Sequence, residues 1–154
     1  FGLGTAESLM TGTPIVVNVT GGLQDQCGFR KEDGSLLTKE DYTEEWGSNH
    51  DGRYKDHGSW VKPVWPACRS LQGSPPTPYI FDDRCRWEDI GDKLLEWYNT
   101  PKEDREKAGL EGREYCLRED TMLSAKNMGK AVIESAENCW KNWKPVKQFQ
   151  VYEV

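Results

Sequence analysis

Apolar and polar positions follow different periods along the 154-residue chain. Residues Thr5 to Thr11 are good helix formers, and Gly12 stands where a helix ends on a left-handed residue. Pro14 then opens Ile15-Val16-Val17-Asn18-Val19, a β-branched run bounded by turn residues. A run that is apolar on both faces predicts a buried parallel strand. Gly21-Gly22 closes it. Glycine turn, helix, strand and glycine turn in that order predict an open α/β sheet.

Beyond Arg30 the regularity stops until Pro78. Glycines 34, 47, 52, 58 and 73 and prolines 63, 66, 75, 76 and 78 break every period. A connection of that length is either a functional insertion or a place where short strands hide. The content of Trp60-Val61-Lys62-Pro63-Val64-Trp65 predicts that part of it packs, and Tyr79-Ile80-Phe81 reads as a further short strand closed by Asp82-Asp83. Three helices follow. Trp87, Ile90, Leu94, Trp97 and Tyr98 put one apolar stripe on a helix over 86–99. Thr100-Pro101-Lys102-Glu103 has the form of a capping box opening a mostly polar, surface-lying helix to about Leu117. In the last helix, from about Thr121, Met122, Ala125, Gly129, Val132, Ala136, Cys139 and Trp143 share a face whose small residues invite close approach. The chain thus divides into 1–29, the Gly/Pro/Trp-rich 30–78, 79–143 and a tail, 144–154.

Composition narrows the function classes. Twenty basic against twenty-six acidic side chains leave a net charge of −6, which disfavours bulk nucleic-acid binding. No run approaches 18 apolar residues and no charged-then-apolar leader is present, so no transmembrane segment or signal peptide is expected. The five cysteines are odd in number, widely spaced and without a CxxC pair, the usage of reduced thiols in a cytoplasmic protein. Cys68, His50 and His57 are good ligand types, but their spacing matches no zinc pattern. The opening Phe1-Gly2-Leu3-Gly4 runs from a glycine-rich turn straight into a helix, as in a chain cut at its N-terminus.

That opening is also where chemistry is expected. A glycine-rich turn feeding a helix points unpaired amides at the positive end of the macrodipole, a ready site for a diphosphate. Gly2 and Gly4 would let a ligand approach the backbone. The Glu7 carboxylate is a natural double acceptor for vicinal sugar hydroxyls.

The wider pattern joins Phe1-Gly2-Leu3, Glu7, Gly12-Thr13-Pro14-Ile15-Val16 and Gly21-Gly22-Leu23-Gln24-Asp25. It resembles the donor-site signature of retaining GT-B glycosyltransferases, the family that includes sucrose and glycogen synthase relatives. Ser8-Leu9-Met10-Thr11 stands where that family prefers Ala-Met-Ala, and the first glutamate of its pair would precede Phe1. The resemblance covers roughly 1–26 and 79–143. It implies a Rossmann-like half of a GT-B fold, truncated at its N-terminus, with C-terminal helices, the last crossing back towards the acceptor-binding domain. It implies a nucleotide-diphosphate sugar as donor and no bound metal. Residue by residue, it implies ribose contacts from Glu7, sugar contacts from Phe1, Gly2 and Leu3, and diphosphate contacts from the amides of Gly4 and Thr5. Gly21 and Gly22 would form a substrate loop. Activity by this chain alone is not expected, because half of the cleft would come from the N-terminal acceptor domain.

Two other classes compete. Trp46, Trp60 and Trp65 could stack on pyranose faces in a non-catalytic carbohydrate- or partner-binding module. Alternatively, apolar surface left open by missing strands would promote self-association.

Overall fold

The computed structural model describes residues 2–38, 41 and 53–145. Helix α1 (Leu3–Met10) leads into strand β1 (Ile15–Asn18), and a 3-10 helix (Gly21–Cys27) follows. Next come β2 (Val61–Val64), β3 (Cys68–Ser74) and β4 (Thr77–Arg84), then helices α2 (Trp87–Asn99), α3 (Lys102–Leu117) and α4 (Ala125–Asn142). The architecture is mixed α/β, as expected. Among the described residues its parallel part is only the pair β1–β2, with Ile15 opposite Val61 and Val17 opposite Pro63. The second sheet is the antiparallel hairpin β3–β4. The described residues form no Rossmann sheet. The predicted strand at Tyr79–Phe81 exists but joins the hairpin, because the two residues Pro75-Pro76 are far too short for a parallel crossover.

The first predicted helix and strand form as expected. Gly12 sits at φ 79 just past α1, the left-handed geometry that lets the chain reverse into β1. The partner of β1, however, comes from inside the span 30–78. Trp60 there is only 4% exposed and stacks on Tyr115 at 4.7 Å between centroids. Its indole donates to the Gln26 carbonyl at 2.9 Å, and the Tyr115 hydroxyl donates to that of Asp25 at 2.8 Å. The core thus gathers Leu9, Val17, Val19, Trp60, Val61 and Cys116 from four separate stretches of chain.

The helices depart further from expectation. The polar α3 is not a surface ornament: Ala108, Gly109, Gly112, Tyr115 and Cys116 are buried, and α3 packs on α1. The capping box is not formed, because Thr100 ends α2 instead. Its hydroxyl donates to the Glu96 carbonyl at 2.7 Å, and α3 starts from Pro101 without a side-chain cap. On α2 the apolar stripe is present but outward, with Trp87 and Tyr98 both 79% exposed. Only Trp97 turns in, donating to the Ile15 carbonyl at 3.1 Å beneath the Lys62 ammonium. Helix α4 is capped by Ser124, which accepts from the Asn127 amide, and buries none of its residues. Among the described residues no helix is long and apolar enough to cross a membrane.

Candidate functional site

The chain enters α1 through Gly2 in the left-handed region, φ 77 and ψ 66. Three donors converge on the Gly2 carbonyl: the Ala6 amide at 3.3 Å, the Thr5 hydroxyl at 2.7 Å and the Gln26 Nε2 at 3.1 Å. Helical geometry gives the amides of Leu3, Gly4 and Thr5 no acceptor within the helix, and they lie at its positive end. No acidic residue stands in the first turn to neutralise that end.

Ala6 and Leu9 anchor α1 in the core. The opposite face therefore points outward and carries Leu3, Gly4 and Glu7, all exposed. Glu7 lies three and four residues beyond Gly4 and Leu3, one turn along the same face. Expected site residues Leu3, Gly4 and Glu7 are thus brought together by the helical period.

The two glycines do different work. A Cβ at Gly4 would meet nothing within 4 Å, so the backbone there is uncovered. A Cβ at Gly2 would lie 2.2 Å from Leu23 Cδ2. Gly2 is therefore demanded by its positive φ and by packing against the 3-10 helix, and the expectation that its bare α-carbon faces a ligand is corrected. Phe1 lies outside the described residues.

Gly21 and Gly22 begin the 3-10 helix rather than an open loop, and Gly21 is exposed, with open space for 4 Å around the point where a Cβ would stand. The Gln26–Gly2 hydrogen bond ties this second glycine turn to the first. Just before it, the Thr20 hydroxyl donates to Asp83 Oδ2 at 3.0 Å and Asn18 Nδ2 donates to the Asp83 carbonyl at 3.3 Å. Arg69 Nε meets the other carboxylate oxygen at 2.8 Å, and the Asp83 side chain is only 2% exposed. Sequence reasoning reads Asp83 as a strand terminator. Its role as the tether between the hairpin and the end of β1 has no local signature, since its partners lie 63 and 65 residues away. Gln26, fully buried, escapes sequence reasoning for the same reason.

The remaining chemistry-bearing residues are dispersed. His57 Nδ1 pairs with the Gly58 carbonyl at 2.9 Å, Cys68 is exposed at the start of β3, and His50 and Trp46 lie outside the described residues. Burial pushes the Cys27 thiol up to about 12, with the nearby Asp25 charge adding to it, and pushes Cys116 up to about 11. Both stay protonated and unreactive at neutral pH. Trp60 is sealed in the core and has no face to offer a sugar. Trp65 is half-buried, tilted on Phe29 at 5.6 Å.

Compared with models of protein families, with curated proteins and with solved structures, the chain matches none.

Proposed function

We propose that this chain is the donor-binding part of a retaining glycosyltransferase of the GT-B type, which transfers a sugar from a nucleotide-diphosphate sugar to an acceptor. The observation that carries the reading is the exposed face Leu3–Gly4–Glu7 at an acid-free helix start entered through a left-handed glycine. The diphosphate takes the amides of Gly4 and Thr5, where the helix end favours negative charge. Glu7, one turn along, accepts two ribose hydroxyls. The exposed backbone at Leu3 faces the sugar in this reading, and Gly21-Gly22 borders it. As the glycosidic bond breaks, charge builds on the leaving diphosphate, and preorganised amides stabilise it without reorganisation.

The acceptor is held by a second domain in this reading. The exposed stripe on α4, with Val132 and Ile133 each 62% and Trp140 89% exposed, suits a last helix that lies against another domain. This chain alone therefore binds donor but does not turn over.

Calorimetric titration of the full chain with UDP-glucose, GDP-mannose and ADP-glucose tests the proposal. One of the three should bind, and Glu7→Ala should weaken it at least tenfold, as loss of charge-assisted hydrogen bonds worth about 1.5–3 kcal/mol implies. Equal affinity in Glu7→Ala, or binding lost instead in Trp65→Ala, would return the chain to the carbohydrate-module class.

A further inference from the structure

We infer that Gln26 is the positioning residue of the Gly2 turn: its side-chain amide fixes the geometry from which the backbone of residues 3–5 would meet a donor. A glutamine with no exposed surface is unusual, and its side-chain amide has no access to water. Here Nε2 donates to the Gly2 carbonyl at 3.1 Å, from a residue 24 positions away. The other two donors to that carbonyl, the Thr5 hydroxyl and the Ala6 amide, belong to α1 itself, so among the described residues the Gln26 bond holds this carbonyl from outside its own helix.

The base from which Gln26 reaches is rigid. The backbone carbonyls of Asp25 and Gln26 accept from the Tyr115 hydroxyl and the Trp60 indole, and those two rings are stacked in the core. Leu23, on the same 3-10 helix, fills the space where Gly2 would carry a side chain. The turn is therefore gripped from one side by an apolar contact and a hydrogen bond, both carried on a segment bolted to the core. An eight-residue helix start would otherwise fray, because terminal turns have the fewest internal bonds. Holding the Gly2 carbonyl back along the helix keeps the amides of Leu3, Gly4 and Thr5 parallel and outward before any ligand arrives. That is preorganisation, which strengthens binding by lowering the ordering cost the ligand would otherwise meet. The ligand part of this inference rests on the donor-site reading; the positioning part does not.

The test is amide hydrogen exchange on the full chain with Gln26→Met, which keeps the volume and removes the donor. Exchange at Ala6 and Glu7, the first amides of α1 with acceptors along the helix, should quicken at least tenfold while β1 and α3 keep their protection. Unchanged exchange at Ala6 and Glu7 would overturn the inference. Gln26→Glu is the second variant should Gln26→Met not fold: protonated, its carboxyl can donate as the amide does; ionised, it cannot. Protection at Ala6 and Glu7 should then fall as pH rises, and a pH-independent profile matching wild type would equally overturn it. Titration of UDP-glucose, GDP-mannose and ADP-glucose into wild type and Gln26→Met separates the two layers. Exchange that quickens together with at least fivefold weaker binding supports both. Exchange that quickens while wild type binds none of the three upholds the positioning role and removes the donor-site reading.

Discussion

Helix α3 is polar for most of its length yet buries five residues, whereas α4 carries a continuous apolar stripe and buries none. The difference lies in how each makes contact. In α3 bare backbone makes the contact: a Cβ on Gly109 would fall 1.8 Å from the Gly12 carbonyl oxygen, and one on Gly112 would fall 2.7 Å from the Trp60 side chain at Cβ. Missing side chains let α1, the Gly12 turn and the Trp60 indole come up against the helix. In α4 the equivalent residue, Gly129, faces open space. Small residues thus mark a close approach only where something is there to approach. Hydropathy measures what a side chain would gain from burial, and says nothing of what its absence admits.

The sharpest way to break this contrast is at the tryptophans. Trp60→Ala should cost about 3–5 kcal/mol in urea denaturation, the usual range for a buried aromatic, while Trp140→Ala should stay within about 0.5 kcal/mol. Comparable losses would mean that α4 is packed in solution in a way this fold does not contain.

Next come the two glycines. Gly109→Ala should destabilise by about 3 kcal/mol or prevent folding, since the atom it meets is backbone and cannot swing away. The same change at Gly129 should stabilise by up to about 1 kcal/mol through helix propensity alone. Opposite signs from one substitution in two helices would establish the difference directly.

Alkaline pH probes the core thiols. The unfolded chain releases a cysteine proton near 9.0, but burial holds Cys27 protonated up to about 12. Above pH 9 the unfolded state therefore binds fewer protons, and stability falls as pH rises. Cys27 alone contributes a slope of about 1.4 kcal/mol per pH unit at most. Below pH 9 its contribution is flat. At neutral pH a thiol reagent should label Cys68 and Cys139 rapidly and reach Cys27 and Cys116 only after unfolding.

The smallest effects concern helix starts. Ser124→Ala should cost about 1 kcal/mol as a lost N-cap. Thr100→Ala, at the position where a capping box was expected, should cost less, because its hydroxyl serves α2.

What was legible in the sequence follows from the range of the forces involved. Helix α1, the Gly12 turn and β1 are written in adjacent residues: helix formers, a left-handed glycine, then β-branched residues. The candidate face Leu3–Gly4–Glu7 is legible for the same reason, being a property of one helix. Strand β2 is concealed because Pro63 sits inside it and glycines and prolines crowd its flanks. Strand β3 gives no signal and β4 shows only at Tyr79–Phe81, since both carry charged and polar residues and pack on neither face into the core. The burial of α3 has no signal either: Gly109 and Gly112 offer no side chain to read, and Tyr115 meets Trp60 and Asp25 only after folding. Gln26 and Asp83 act on partners reached only after folding, so no local pattern could announce them.

Pro63 has a consequence for how this sheet can grow. The amides of Ile15 and Val19 donate to the carbonyls of Trp60 and Val64, at 2.9 Å each. By the alternation of a parallel ladder, residues 62 and 64 turn their amides towards β1, and 61 and 63 turn theirs away. Pro63 therefore costs the existing ladder nothing, and it removes a donor from the outer rim of β2. A strand arriving there would leave one of its carbonyls unanswered. That flank of the sheet is blunted, and a further strand would pair with one bond fewer there than along an edge without proline.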